Sequence, residues 1–194
     1  MTEVVLKTIA NIQVGYQAKT GIKESVQGTH RLIQSKDFDS FNRLQSGNLI
    51  AFSPERKPEP YSVHKGDILF QARGMVHFSY CIEEELENTL AAGSFYILRT
   101  KKKDMLPQYL AWWLNQSEAQ AYFQAEARGA GISFISKETL SRLKVRIPPL
   151  SVQNKVVKII TLAGHERFLL DQLASARSRL VRAVCIKAIQ GQER

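Results

Sequence analysis

Asp39 stands sixteen residues ahead of Glu55-Arg56-Lys57. An Asp followed by Glu-x-Lys can hold a divalent cation and orient water against a phosphodiester, the chemistry of a metal-dependent nuclease. Pro54 and Pro58 flank the triplet, which fits a surface loop better than the strand such a site needs. The plainer reading is a charged loop that touches phosphates. Other catalytic signatures are missing from the chain. There is no GxxxxGKS/T phosphate loop, no GxGxxG, no HExxH and no paired CxxC. Pro148-Pro149-Leu150 does not supply the acidic-aromatic tetrapeptide of a methyltransferase. His30, His64, His77 and His165 are scattered, and Cys81 and Cys185 lie 104 residues apart. Neither type makes a metal pair, a redox pair or a disulfide framework. The expectation is no cofactor, no metal site, no catalytic residues and so no enzyme.

Two glycine-bearing basic loops point elsewhere. Gln71-Ala72-Arg73-Gly74 follows an apolar strand, and Arg128-Gly129-Ala130-Gly131-Ile132-Ser133 follows a helix. Glycine lets backbone approach a ligand closely, and Arg can clamp a phosphate or read guanine with two hydrogen bonds. With Lys19, Lys23, Arg31, Arg56 and Lys57 these loops could form one DNA-facing surface. They could equally be turns with solvated arginines. Lys101-Lys102-Lys103 reads as a solvated turn, since such runs contact phosphate without specificity. Trp112-Trp113 could stack on bases, but Trp113 at least falls on the core side of its helix.

The charge balance agrees with a polyanionic partner. The chain has 27 Lys+Arg against 18 Asp+Glu, a net charge of +9. Residues 1–150 carry 19 basic and 15 acidic groups, and residues 151–194 carry 8 and 3. Four of the acids cluster in Glu83-Glu84-Glu85-Leu86-Glu87, which leaves room for a basic face elsewhere. At 194 residues and 44% hydrophobic the chain can bury a core. Its apolar runs are too short to span a membrane, and Met1–Lys7 lacks the order of a signal peptide. A reducing cytoplasm is the expected compartment.

These loops need elements to hold them. Val4–Gly15 reads as a short helix or strand, followed by a loop over Tyr16–Gly28. His30–Gln34, Leu49–Phe52, Ile68–Phe70, Val76–Ile82, Ser94–Arg99 and Lys144–Ile147 read as strands. Lys65-Gly66-Asp67 is a turn signal. Pro107–Ala127 has helical spacing of its apolar residues, and Ser136 offers an N-cap to Lys137–Leu143. Pro148-Pro149 marks a boundary. The expected class is α/β (α+β), a domain over residues 1–150 followed by one long helix over 151–190.

That helix carries a heptad. One seam position takes Val152, Ile159, Glu166, Leu173, Leu180 and Lys187. The other takes Val156, Ala163, Leu170, Arg177 and Val184. Eight of these eleven are apolar, which argues for a coiled coil rather than a helix lying on its own domain. Ser151 is the expected N-cap and Gly191 the expected stop. No second helix of matching length is legible in the chain, so the natural cover for the stripe is another chain.

The order of motifs resembles the specificity (S) subunits of type I restriction–modification systems. Thr8–Gly15 (TIANIQVG), Lys65–Phe70 (KGDILF), Ala72-Arg73-Gly74, Tyr109-Leu110 with Leu114, Gly129–Ile135, Leu140–Val145 and Ile147–Gln153 (IPPLSVQ) carry the likeness. The resemblance implies a target recognition domain with a twisted mixed sheet and flanking helices, then a coiled-coil helix. It implies a non-enzymatic protein that reads half of a bipartite duplex DNA site and positions methyltransferase and restriction subunits. Full-length members carry two recognition domains and two helices, whereas this chain has one of each, so it resembles a half-subunit. A homodimer through antiparallel helices follows as the expectation, with Val152, Val156, Ile159, Ala163, Leu170, Leu173, Leu180 and Val184 at the contact. Base readers differ among members, so they are assigned here to the loops at Lys19–Lys23, Arg31, Arg56–Lys57, Arg73–His77 and Arg128–Ser133. The rival readings are an orphan DNA-binding protein, a recognition module of another phage-defence methylation system, and the Asp39/Glu55/Lys57 nuclease.

Overall fold

Thr2–Val5 (β1) and Ala10–Val14 (β2) are strands joined by one helical turn, Leu6–Ile9 (α1), in a computed structural model that describes residues 2–18, 21–74, 76–126 and 134–190. The segment expected to be helix or strand is therefore both. Leu6 and Ile9 are buried, so the turn packs apolar groups while it redirects the chain. β2 enters a four-stranded antiparallel sheet with Phe95–Thr100 (β8), Ile68–Gln71 (β5) and Ser79–Cys81 (β6), in the order β2-β8-β5-β6. Gly15 follows β2 because nothing larger fits there. A Cβ at Gly15 would lie 2.2 Å from the Ala92 carbonyl oxygen.

A second, three-stranded sheet has the order β4-β3-β7, where β3 is His30–Ile33, β4 is Ile50–Phe52 and β7 is Thr89–Ala91. β3 pairs antiparallel with β4 and parallel with β7. β7 has only three residues, and the one local signal ahead of it is Asn88 at φ +48°, so the sequence pattern does not mark it as a strand. The alternation of β3 sends its side chains two ways. Ile33 packs with Leu69, Phe78, Ala91, Phe95 and Ile97, while Leu32 packs with Tyr16, Phe52 and Leu90.

The Lys65-Gly66-Asp67 turn is locked by charge. Gly66 takes a φ of +88°, where L side chains are strained. Asp67 is buried and receives the Arg99 guanidinium, Nε at 3.0 Å from Oδ1 and Nη2 at 3.1 Å from Oδ2. Arg99 Nη2 also donates to the Ser62 carbonyl. This clamp fastens the turn before β5 to β8.

The helix expected over Pro107–Ala127 is broken into Pro107–Leu114 (α2) and Ser117–Glu126 (α3). Asn115 causes the break. Its carboxamide accepts from Ser79 N–H at 2.7 Å and donates to Ser79 C=O at 2.8 Å, which satisfies both backbone groups of one residue of β6. Ser136 caps Lys137–Arg142 (α4) as expected, accepting from Thr139 N–H at 3.0 Å. Lys144–Ile147 (β9) then pairs antiparallel with β1, joining the two ends of this unit.

Leu150–Gln190 (α5) forms one helix of 41 residues. Pro149, rather than Ser151, stands at its start, since the Pro149 carbonyl accepts from Val152 N–H and Gln153 N–H. Gly191 lies outside the described residues. The chain divides into two units, Met1–Gln153 and Asn154–Arg194. The second unit carries the helix as far as Gln190, and Ile159, Leu173 and Leu180 on it are 66%, 66% and 65% exposed. No described helix is long and apolar enough to cross a membrane.

Candidate nucleic-acid interface

Strand β5 is buried along its whole length and ends in a basic turn. Ala72 donates to the Ser94 carbonyl at 2.8 Å, and its own carbonyl accepts from Ile135 N–H at 2.9 Å. Arg73 emerges next, exposed, in a bridge with Phe134. The guanidinium carbon sits 5.0 Å from the centroid of the Phe134 ring, a cation–π contact that restricts a flexible side chain without consuming its donors. Phe134 is itself 44% exposed. Gly74 follows with φ +136°, a conformation open to glycine. Arg73 is thus an exposed cation held between a rigid strand and an aromatic plate.

Phe134 immediately follows Ser133. The structure sets Phe134 itself against Arg73, across 61 residues of sequence. Arg128, Gly129 and Ser133 themselves lie outside the described residues, as does Lys19. Tyr96 Oη donates to the Ile135 carbonyl at 3.0 Å beneath this turn. Burial pushes the Tyr96 phenol up, and the Arg73 charge and the Lys137 backbone N–H pull partly against it.

His77 sits below the surface. It is 7% exposed, its Nδ1 lies 2.9 Å from the Gln71 carbonyl oxygen, and its ring stacks on Phe70. Its side chain shapes the turn from within instead of facing solvent. Trp113 is likewise buried, and Trp112 is half-buried with its ring tilted against Tyr109.

The remaining predicted cations gather around the three-stranded sheet. Arg31 is exposed on β3, opposite Ala51 of β4. Lys23 lines a cleft of about 300 Å³ with Tyr16, Phe52 and Glu55. Tyr16 Oη accepts from Glu55 N–H at 2.8 Å, which fixes the loop that carries exposed Arg56 and Lys57. So Arg31 lies on the three-stranded sheet with Lys23, Arg56 and Lys57 in loops beside it, while Arg73 and Gly74 follow the end of β5 in the other sheet.

Asp39 is engaged by its own loop. Its carboxylate accepts from Arg43 Nε at 2.8 Å and from the backbone N–H groups of Phe41 and Arg43 at 2.9 Å. Burial raises its pKa, but the hydrogen bonds and the charge of Arg43 outweigh that and hold it below the usual carboxylate range. Arg43 and the loop backbone thus occupy the oxygens that a metal would need.

Sequence reading missed a third basic feature. Lys7 from α1, Lys101 after β8 and Lys137 at the start of α4 line one groove of about 500 Å³, together with Asn11 and Gln13 of β2. Lys101 Nζ donates to the Lys7 carbonyl at 2.7 Å, so it is tethered and not merely solvated. The three lysines come from segments 94 and 36 residues apart, and no local pattern links them.

Residues 4–165 match the family model described as the type I restriction modification DNA specificity domain. The chain is 25% identical over 126 residues to the HindI type I restriction enzyme specificity subunit of Haemophilus influenzae, covering 63% of this chain and 28% of that one. Among solved structures, it is similar to the HsdS subunit of Thermoanaerobacter tengcongensis, with a TM-score of 0.58 at 17% identity over 88% of this chain and 39% of that one. It is also similar to a chain from a structural study of the assembly and conformational transition of the type I R-M system. There the TM-score is 0.63 at 18% identity, over 93% of this chain and 43% of that one. The chain thus spans less than half the length of the relatives it matches.

Proposed function

The chain belongs to the family of type I restriction–modification DNA specificity domains, and from that premise we propose that it reads one half of a bipartite duplex site while a second copy reads the other. Residues 1–150 act as the target recognition domain. Residues 151–190 pair the two copies in antiparallel fashion and dock the methyltransferase subunit, with the restriction subunit as a further partner. The protein performs no chemistry itself, takes no cofactor and works in a reducing cytoplasm.

The observation that carries this reading is the Arg73 turn. An exposed guanidinium just past the buried strand β5, steadied by the Phe134 ring, suits a base edge or a phosphate. Lys23, Arg31, Arg56 and Lys57 supply further contacts to the duplex, with Lys19, Arg128, Gly129 and Ser133 in the same roles. Lys7, Lys101 and Lys137 suit backbone phosphates.

The test lies in the methylation of the host's own DNA. Deleting the gene should erase modification at one bipartite motif, and restoring the gene should restore it. Arg73→Gln should leave the modification weakened or moved to related sites. A methylation pattern unchanged by the deletion would overturn the reading.

A further inference from the structure

Glu166 lies in the middle of the apolar face of α5, among Ile159, Leu162, Ala163, Leu169, Leu170 and Leu173, with His165 beside it. A carboxylate at such a position is costly unless a cation meets it. Arg177 is the matching exception on the other seam position. Eleven residues separate the two, about 16 Å along one helix, so they cannot meet within a chain. The helix has its own ion pair between, Arg167 with Asp171 at 3.7 Å.

Two orientations of a second copy give opposite results. Parallel helices in register set Glu166 against Glu166 and Arg177 against Arg177, which is repulsive twice over. Antiparallel helices pair one seam position with the other. If the two-fold axis passes between Asp171 and Gln172, Glu166 meets Arg177 of the second copy, and the symmetric contact repeats it. The same axis pairs Leu170 with Leu173, Ala163 with Leu180, and Ile159 with Val184. Only Val156 faces a charge, Lys187, whose long stem can lie along the seam while its ammonium reaches water. A shift by one heptad loses this match. It sets Glu166 against Leu170 and Arg177 against Ile159, or Glu166 against Val184 and Arg177 against Leu173.

We propose that two copies of this chain pair through α5 in one antiparallel register, selected by reciprocal Glu166–Arg177 ion pairs inside an otherwise apolar seam. The inference rests on the pairing of copies proposed above and adds its register and the residues that choose it. Apolar contacts supply the association, and the ion pairs exclude the alternatives.

Light scattering across a dilution series tests it with the full chain and the variants Glu166→Arg, Arg177→Glu and the double exchange. Each single variant should raise the dimer dissociation constant about tenfold or more, and the double exchange should return it to within about threefold of wild type. Far-UV circular dichroism checks that each variant keeps its helix. A distance measurement needs no variant. Cys185 is exposed and Cys81 is buried, so a spin label attaches at Cys185. The proposed register puts the two Cys185 positions about 40 Å apart along the pair, a one-heptad shift changes that by about 10 Å, and a parallel pair brings them within about 10–15 Å. A distance near 40 Å with rescue by the double exchange supports the register. Single variants that dimerise like wild type, or a distance of another class, overturn the register and leave the pairing standing. A wild-type chain that stays monomeric overturns both. Should a variant lose its helix, the distance on wild type decides alone.

Discussion

Gln153 accepts a hydrogen bond from Leu106 N–H at 3.0 Å while it is 1% exposed. Its Nε2 also donates to the carbonyls of Asp104 and Pro148, both at 2.9 Å. One carboxamide thus satisfies three backbone groups and pins the first turn of α5 to the segment ahead of α2. Removing it strands those groups away from water. Gln153→Ala should destabilise the chain by about 3 kcal/mol, read as a lowered midpoint in urea. Gln153→Glu keeps the acceptor but sets a carboxylate against two carbonyls, and should destabilise at least as much.

The clamp between Asp67 and Arg99 makes a second stability prediction. Asp67 is buried and Arg99 is about one third exposed at its side chain. Removing the carboxylate leaves a guanidinium held against Ser62 with its main partner gone. Asp67→Ala should cost about 2–3 kcal/mol, at or below the ~3–5 kcal/mol usual for a fully buried pair, because Arg99 keeps access to water. The loss should appear as a lower unfolding midpoint.

Recognition and stability separate at Arg73. Its side chain is exposed and rests on the exposed Phe134 ring, so Arg73→Ala should leave the midpoint of unfolding nearly unchanged. Discrimination against a wrong base should fall by about 1–3 kcal/mol if the guanidinium reads a base edge. Phe134→Ala keeps the charge and frees the side chain, so it should weaken binding by a smaller amount at every sequence. Competition binding with matched and single-mismatch duplexes measures both.

Thiol chemistry offers a prediction independent of DNA. Burial pushes the Cys81 thiol up to about 12, with Glu83 and Asp67 adding to the effect. Burial pushes the Tyr80 phenol up to about 12 as well, with Glu83 and neighbouring negative groups adding to it. At pH 8 a thiol reagent should therefore modify one cysteine per native chain, Cys185, and two in denaturant. The alkaline limb follows by linkage. The unfolded thiol ionises from about pH 9 and the unfolded phenol from about pH 10, while the native groups hold their protons to about 12. Stability from these groups is full below about pH 9 and is lost as pH rises toward 12. Unfolding midpoints measured from pH 8 to 11 check the direction.

Much of this architecture was legible in the sequence, for reasons that differ by element. β5 and β8 were visible because they are buried on both faces and read as apolar runs. Ser136 announced α4, because an N-cap is a local signal. The long helix was visible because its period holds for forty residues. β7 was not, since three residues carry no period and its partner β3 lies far away in sequence. The break at Asn115 was not, because its cause is a tertiary hydrogen bond to Ser79. At the candidate interface, the types of residue were legible and their grouping was not. Nothing local joins Arg73 to Phe134, or Lys7 to Lys101 and Lys137. His77 looked like a contact because it follows Arg73 closely, yet the turn points its ring inward.

Selection from a pool of randomised duplex DNA by the purified chain tests sequence reading most directly. The salt should be fixed at about 100 mM, because phosphate contacts alone bind DNA at lower ionic strength. One inverted repeat with a constant spacer should be enriched, and Arg73→Ala should lose defined base positions. A pool that retains no common motif, although the chain holds DNA, would contradict sequence reading by this chain.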